Sequence, residues 1–306
     1  MIPLCAPENA KLPTALALGS FDGLHLGHKK VINAILKDPI GVPTVVSFWP
    51  HPREVLFGES RLRLDLPNEK TFLLEPLGIE QLVLVPFNKN LASKSAETFV
   101  EEVLAKTLHA KHIAVGENFR FGRNREGDTS TLEKIGASLG IKISIIPIVK
   151  DNLGRLSSSR VRKALIDGDL KHAKYLLKRP YTFRGTVEKG RGLGKKIGWP
   201  TANLKIDGRK FLPSLGVYAA WASIANKKER FLAVMNMGPQ PTIDPNSLSA
   251  VEVHLLDKEI NLLGHELIIE PVQRIRLQKK FENIDALSEQ ISLDAILAKE
   301  ILTKKL

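Results

Sequence analysis

A single cysteine, Cys5, stands in 306 residues. One thiol excludes an intramolecular disulfide and any zinc site built on paired thiolates, and it fits a reducing compartment. Stacking aromatics are also scarce, with three tryptophans and three tyrosines, so a nucleic-acid binder would have few platforms for bases. No apolar run approaches the ~20 residues that span a bilayer. The start, Met1-Ile-Pro-Leu-Cys-Ala-Pro-Glu8, lacks a basic stretch followed by an apolar one, so no signal peptide is expected. Acidic residues are outnumbered, 33 against 45 basic, for a net charge of +12. The surplus is spread evenly: residues 1–178 hold 25 basic and 19 acidic side chains, and residues 179–306 hold 20 and 14. A solvated basic surface explains most of that surplus, and an anionic small-molecule substrate explains it at least as well as nucleic acid does. A cytoplasmic protein with small-molecule partners, and with neither a membrane nor a nucleic acid to bind, is expected; a monomer or weak homo-oligomer is the expectation for its assembly, which composition does not decide.

The length and an apolar content of 43% allow two domains with separate cores. The first part alternates β-rich and helical patterns. Strand-like runs appear at Thr14–Leu18, Pro43–Phe48, Gln81–Phe87, His112–Val115 and Lys142–Ile146. Helical spacing fills Lys29–Lys37, Ala96–Leu108 and Thr131–Leu139, and one long helix is expected over Arg160–Lys178. That order predicts a parallel sheet covered by helices, with ligands beyond the carboxyl ends of its strands. Arg179-Pro180 marks the expected boundary, because proline disfavours helix at the residue before it. Domains are therefore expected over 1–178 and 179–306. Beyond the boundary, five short strand-like runs follow one another at Tyr181–Val187, Gly216–Ile224, Arg230–Met235, Ala250–Leu256 and His265–Pro271. Such a series suggests a small barrel or sandwich. Ile284, Leu287, Ile291, Leu293, Ile296 and Ile301 predict an apolar stripe on one terminal helix.

The densest chemistry is Gly19-Ser-Phe-Asp-Gly-Leu-His-Leu-Gly-His28, between the first strand and the first helix. A helix start offers unpaired N–H groups and partial positive charge to a phosphate, and glycines let the backbone approach it. His25 and His28 can add side-chain hydrogen bonds, which points to a nucleotide site with phosphoryl-type chemistry. A glycine turn whose histidines merely cap the helix is the plainer alternative, and it needs fewer such residues. Zinc is weaker still, because no third ligand lies at ligand spacing. Gly190–Gly194 looks like a dinucleotide fingerprint but has no βαβ unit around it. In Val251-Glu-Val-His-Leu255 the apolar residues alternate with Glu252 and His254. Glu252 is then either a solvent-facing strand acid or a base.

The histidine motif is followed by Phe48-Trp-Pro-His-Pro-Arg53, Val115-Gly-Glu-Asn-Phe-Arg-Phe-Gly122 and Ser157-Ser-Ser-Arg-Val-Arg162. Gly192-Leu-Gly-Lys-Lys-Ile-Gly-Trp-Pro-Thr-Ala-Asn203, Asn236-Met-Gly-Pro-Gln-Pro-Thr242 and Val251-Glu-Val-His-Leu-Leu-Asp257 complete the series. Together they resemble, in order and over nearly the whole chain, the prokaryotic bifunctional riboflavin kinase/FAD synthetase family. The resemblance implies a Rossmann-like nucleotidyltransferase domain, then a six-stranded antiparallel β-barrel with a terminal helix. It implies conversion of riboflavin and ATP to FMN, and of FMN and ATP to FAD, with Mg²⁺. In the first domain it implies that Gly19, Phe21, Asp22 and Gly27 shape the nucleotide site and that His25 and His28 contact the ATP phosphates. Asn118 would orient the attacking phosphate, and Arg155, Ser158 and Ser159 would bind the outgoing ones. Phe48, Pro50 and Pro52 would wall the flavin. Ser158 and Ser159 could equally cap the helix that follows, and a capped N-terminus is also an anion site. In the second domain Gly192 and Gly194 would belong to a phosphate-covering loop, Thr201 and Asn203 would position Mg²⁺ and phosphate, and Glu252 would be the general base. The pattern departs from the family at Ser159, usually Thr, and at Lys258, Asn261, Leu263 and Gln278. Those last four leave open an adenylyltransferase whose barrel only binds flavin.

Overall fold

A computed structural model describes every residue except 38–39, 61, 191–193, 195–197, 239–250 and 305–306. The chain forms two compact units, one of residues 1–61 with 65–158, the other of 62–64 with 159–306.

The first unit is built on a six-stranded parallel sheet ordered β1-β4-β3-β2-β5-β6. Its strands are β1 (Leu4–Cys5), β2 (Thr14–Leu18), β3 (Val42–Trp49), β4 (Gln81–Pro86), β5 (Ala110–Gly116) and β6 (Lys142–Ile146). Strand β2 is buried along its whole length, as a strand covered on both faces must be. Helix α1 (Leu26–Leu36) buries Val31, Ile32 and Ile35, worth roughly 1.5–3 kcal/mol for each fully buried side chain. The chain passes from β2 to β3 on one side, and β5 returns on the other. The order of connection therefore reverses between β2 and β5, which opens a crevice at their carboxyl ends.

The expected helix at Ala96–Leu108 is present but changes winding. It starts as an α-turn at Ala96–Thr98 and continues as a π-helix over Phe99–Thr107. The long helix expected to close the first part is instead two, Ser158–Asp167 and Leu170–Leu177. Gly168 between them takes φ 74°, and Asp169 caps the second by accepting from His172 N–H at 2.9 Å. Beyond Ser158 these helices group with the second unit: Arg274 of the barrel donates to Asp167 O at 3.0 Å.

The second unit contains a closed antiparallel barrel ordered β10-β13-β12-β11-β14-β9. Its strands are β9 (Phe183–Glu188), β10 (Ala202–Lys205), β11 (Gly216–Ile224), β12 (Arg230–Met237), β13 (Val251–Leu255) and β14 (Glu266–Arg276). Before β9, two-residue strands β7 (Lys150–Asp151) and β8 (Gly154–Arg155) form a hairpin in the first unit. The sixth barrel strand, β10, lies inside the proline-, threonine- and asparagine-bearing segment, where no apolar run announced it.

The terminal helix, Ile284–Thr303, is capped by Asn283, and its expected apolar stripe is buried only in part: Leu287, Ile291 and Ile301 are half-buried, with Ile301 against the core. Asp294, Ala295, Ala298 and Leu302 are buried, whereas Ile284, Leu293 and Ile296 are about 60% exposed. Pairing decided this: Arg276 meets both oxygens of buried Asp294 at 2.8–3.0 Å, and Gln290 adds a bond at 3.1 Å. Removing one partner strands the other charge, so Asp294→Ala should cost about 3 kcal/mol of unfolding free energy. Urea titration of the variant checks this; a loss below about 0.5 kcal/mol would make the pair incidental.

Candidate active sites

Three loops converge in the crevice of the first unit, after β2, after β5 and in the β7–β8 hairpin. The histidine loop is tightly wound, with Phe21 and Leu24 at φ 46° and 45° and Gly23 at 89°. Non-glycine residues in that region carry strain that surrounding contacts must hold. Lys70, buried on helix Pro67–Leu74, donates to Ser20 O at 2.8 Å. Asp22 is buried; its carboxylate accepts from Asp65 N–H at 3.4 Å and its carbonyl from Ser158 Oγ at 2.7 Å.

His25 is the N-cap of α1, with no side-chain capping bond, and His28 lies in the first turn. The two imidazoles stack at 3.7 Å between centroids, and Phe21 meets His28 edge-on at 5.3 Å. A Cβ at Gly27 would sit 3.1 Å from His25 Cε1, so the glycine lets the ring lie against the backbone. Both Nδ1 atoms are buried without a hydrogen-bond partner, a costly arrangement that an incoming ligand can relieve.

Burial first, then the positive charge of Arg155, pushes His25 down to about 4, against an upward pull from Asp22. His28 is held well below the usual imidazole range by burial, then by His25, Lys70 and Arg155. Both rings are therefore neutral at neutral pH. Unfolded imidazole gains its proton near 6.5, so as pH is lowered from about 6.5 to about 4 the unfolded chain binds more protons and stability is lost. His25→Asn should flatten that decline, read by denaturant unfolding at about pH 7 and about pH 4.5. An unchanged decline would remove His25 as its source.

Asn118 follows β5, and with its amide oriented to satisfy its donors it accepts from both terminal nitrogens of Arg155, at 3.0 and 3.1 Å. Ser158 and Ser159 open the helix Ser158–Asp167. Gly19 lies against the Phe21 ring. On the neighbouring strand ends Phe48 packs against Phe87 at 5.8 Å and Phe99 at 6.1 Å. Phe121 touches Phe99 at 6.0 Å and Phe119 at 5.4 Å. Pro50 and Pro52 lead from this wall into the short helix Pro52–Phe57. Lys70 and Phe87 were not among the residues expected here. Phe87 ends a strand-like run and so could have been placed at the carboxyl edge, whereas Lys70 left no local signal.

The second site is a row across the barrel surface. Register pairs Glu188 with Asn203, Asn203 with Glu252, and Glu252 with Asn236. Directly paired residues share a face, and all four are half-buried while Val251, Val253 and Leu255 point into the barrel. Lys205 pairs with Glu188 at 3.1 Å. Gln278 Nε2 donates to Asn236 Oδ1 at 2.6 Å and to Met237 O at 2.8 Å. Thr201 is exposed beside this row; a Cβ on Gly194 would lie 3.1 Å from its Oγ1 and 2.2 Å from Trp199 O. Gly192 falls outside the described residues. Lys258, Asn261 and Leu263 lie exposed in the β13–β14 connection. Oxygen donors from Thr201 and Asn203, near two carboxylates, match a hard cation that takes most of its ligands from phosphate and water.

Residues 8–160 match the family model described as FAD synthetase, and residues 177–302 that described as riboflavin kinase. The chain is 35% identical over 295 residues to a bifunctional riboflavin kinase/FMN adenylyltransferase of Haemophilus influenzae, covering 93% of each. The Escherichia coli K12 protein of the same description is 35% identical over 297 residues, covering 94% of this chain and 93% of its own. A solved Streptococcus pneumoniae structure described as a macrolide-efflux protein superposes with a TM-score of 0.83 at 29% identity, covering 97% of this chain and 98% of that one. Among the described residues, no helix here is long and apolar enough to cross a membrane.

Proposed function

The chain belongs to the bifunctional riboflavin kinase/FMN adenylyltransferase family, and from that premise we propose which residues perform each of its two reactions. It phosphorylates riboflavin to FMN with ATP and adenylylates FMN to FAD with release of pyrophosphate. Adenylylation is assigned to residues 1–178 and phosphorylation to 179–306.

In adenylylation an FMN phosphate oxygen attacks the α-phosphorus of ATP, and the bond from that phosphorus to the bridging oxygen breaks as pyrophosphate leaves. No covalent enzyme intermediate is required, so alignment and charge stabilisation do the catalysis. His25 and His28 donate to the phosphate chain, Arg155 balances the charge that grows on pyrophosphate, and Asn118 orients the attacking group. Ser158 and Ser159 present the first turn of their helix to the outgoing phosphates. Phe48, Pro50 and Pro52 wall the flavin. The support for this assignment is the pair of stacked, neutral imidazoles with orphaned buried nitrogens beside Arg155. A polyphosphate would supply hydrogen-bond acceptors to the imidazoles and negative charge beside Arg155.

In phosphorylation Glu252 takes the proton of the riboflavin 5′-hydroxyl as that oxygen attacks the γ-phosphorus of ATP and ADP leaves. Thr201 and Asn203 hold the phosphates, with Gly192 and Gly194 in the loop that covers them. Thr201 and Asn203 would hold a bound Mg²⁺, which would supply charge that offsets the negative charge developing on the phosphates. The enzyme is assigned to the cytoplasm, acting as a monomer or weak homo-oligomer without nucleic-acid or membrane partners. Negligible retention on random duplex DNA at physiological salt is the matching expectation.

Incubation with riboflavin, ATP and magnesium, followed by chromatography, tests the whole reading. FMN should appear first and FAD after it. FAD formation from supplied FMN without any FMN formation from riboflavin would favour a barrel that only binds flavin. The polar row argues for a working kinase, because Gln278 still anchors Asn236 beside Glu252.

A further inference from the structure

His254 leaves β13 on the same face as Glu252, two residues along. The β10–β13 register pairs Ala202 with Val253 and Asn203 with Glu252, so one step further sets His254 against Thr201. Its Nδ1 lies 2.7 Å from Pro200 O. A carbonyl only accepts, so Nδ1 carries the hydrogen and the ring is held in one orientation. The same ring meets the Trp199 indole edge-on, at 5.1 Å and 73°. The backbone N–H of Trp199 in turn donates to Gly194 O at 2.8 Å. One imidazole thus fastens the strand bearing Glu252 to the segment that delivers Thr201.

Resting on the kinase assignment above, we infer that His254 is a positioning residue that sets the spacing between the Glu252 carboxylate and the phosphate-holding Thr201. It touches neither substrate. Its hydrogen bond fixes where the nucleotide's phosphates sit relative to the acid, and misplacement on the order of 1 Å is enough to cost a large factor in rate. The effect is directional: Trp199 and Pro200 lead directly into Thr201, the residue assigned to phosphate, so nucleotide terms should move and flavin terms should not.

The test is steady-state riboflavin phosphorylation by full-length His254→Ala, His254→Asn and His254→Gln, with FMN adenylylation measured on each sample. His254→Ala should raise the KM for ATP by about tenfold and lower kcat, with the KM for riboflavin within about twofold. Asparagine places an amide donor near the former Nδ1 and should recover most of the loss; glutamine reaches further and should not. Adenylylation should be unchanged in all three, and matched thermal unfolding excludes a collapsed barrel. Equal behaviour of the Asn and Gln variants, or a riboflavin KM that rises with that of ATP, would overturn the inference. So would His254→Ala activity within twofold of the parent, or a ¹⁵N spectrum showing the hydrogen on Nε2. A parent enzyme that makes no FMN would instead count against the kinase assignment, and the tautomer readout is independent of that result.

Discussion

His28→Ala should reduce FAD formation from supplied FMN by about a hundred- to a thousandfold, the usual cost of removing one preorganised donor from a developing charge. Riboflavin phosphorylation by the same sample should stay within about twofold. In the free protein the ring is kept neutral by burial and by His25, Lys70 and Arg155. Lys70 and Arg155 are the cations of that set, and a triphosphate would bring negative charge beside them. The neutral imidazole then meets an acceptor for its hydrogen, in a site already held by the strained loop and the Lys70 bond to Ser20 O. Because little must reorganise on binding, losing the ring should lower kcat more than it raises the KM for ATP. His28→Asn keeps a donor on a shorter stem and should fall between. Chromatographic assay of FAD from FMN and ATP gives the result. Adenylylation within tenfold of the parent would take His28 out of the reaction, and loss of both activities in a folded sample would break the two-site assignment.

Glu252→Ala should do the reverse, cutting FMN formation by about a hundred- to ten-thousandfold, the range for general-base catalysis, while FAD formation from FMN continues. The acid is half-buried between Asn203 and Asn236, its register partners on either side. Those amides can orient the carboxylate, which suits the role proposed for it. Glu252→Gln separates charge from shape, since it preserves volume and hydrogen bonding but cannot take the proton. If glutamine at 252 retained most of the activity, Glu252 would be a binding residue and the base would lie elsewhere.

Much of this was legible in local pattern. The β-then-α order announced a parallel sheet, and a glycine- and histidine-bearing turn after the first strand marked its ligand edge. Period-two alternation in Val251–Leu255 already set Glu252 and His254 on one face, because adjacent side chains of a strand must point oppositely. Motif order along the chain extended this to both activities. Where local pattern misled, non-local contacts had intervened. Strand β10 is only four residues long, and its pairing with β9 and β13 rather than its own composition makes it a strand. The terminal helix buries Asp294 along with part of its expected apolar stripe, since Arg276 pairs with that carboxylate, and leaves Ile284, Leu293 and Ile296 exposed. Gly168 divided a helix that periodicity alone ran through.

The sequence by itself determined the classes of element, the two-part organisation and the residue types proposed to handle phosphate and proton, because periodicity and turn chemistry act between near neighbours. Tertiary structure alone decided that His25, Asn118 and Arg155 share one crevice, that Lys70 braces it, and that Asn203, Glu252 and Asn236 stand in one row. Those juxtapositions come from strand order and register, which are set by pairings between segments distant in the chain and leave no trace in any short window of residues.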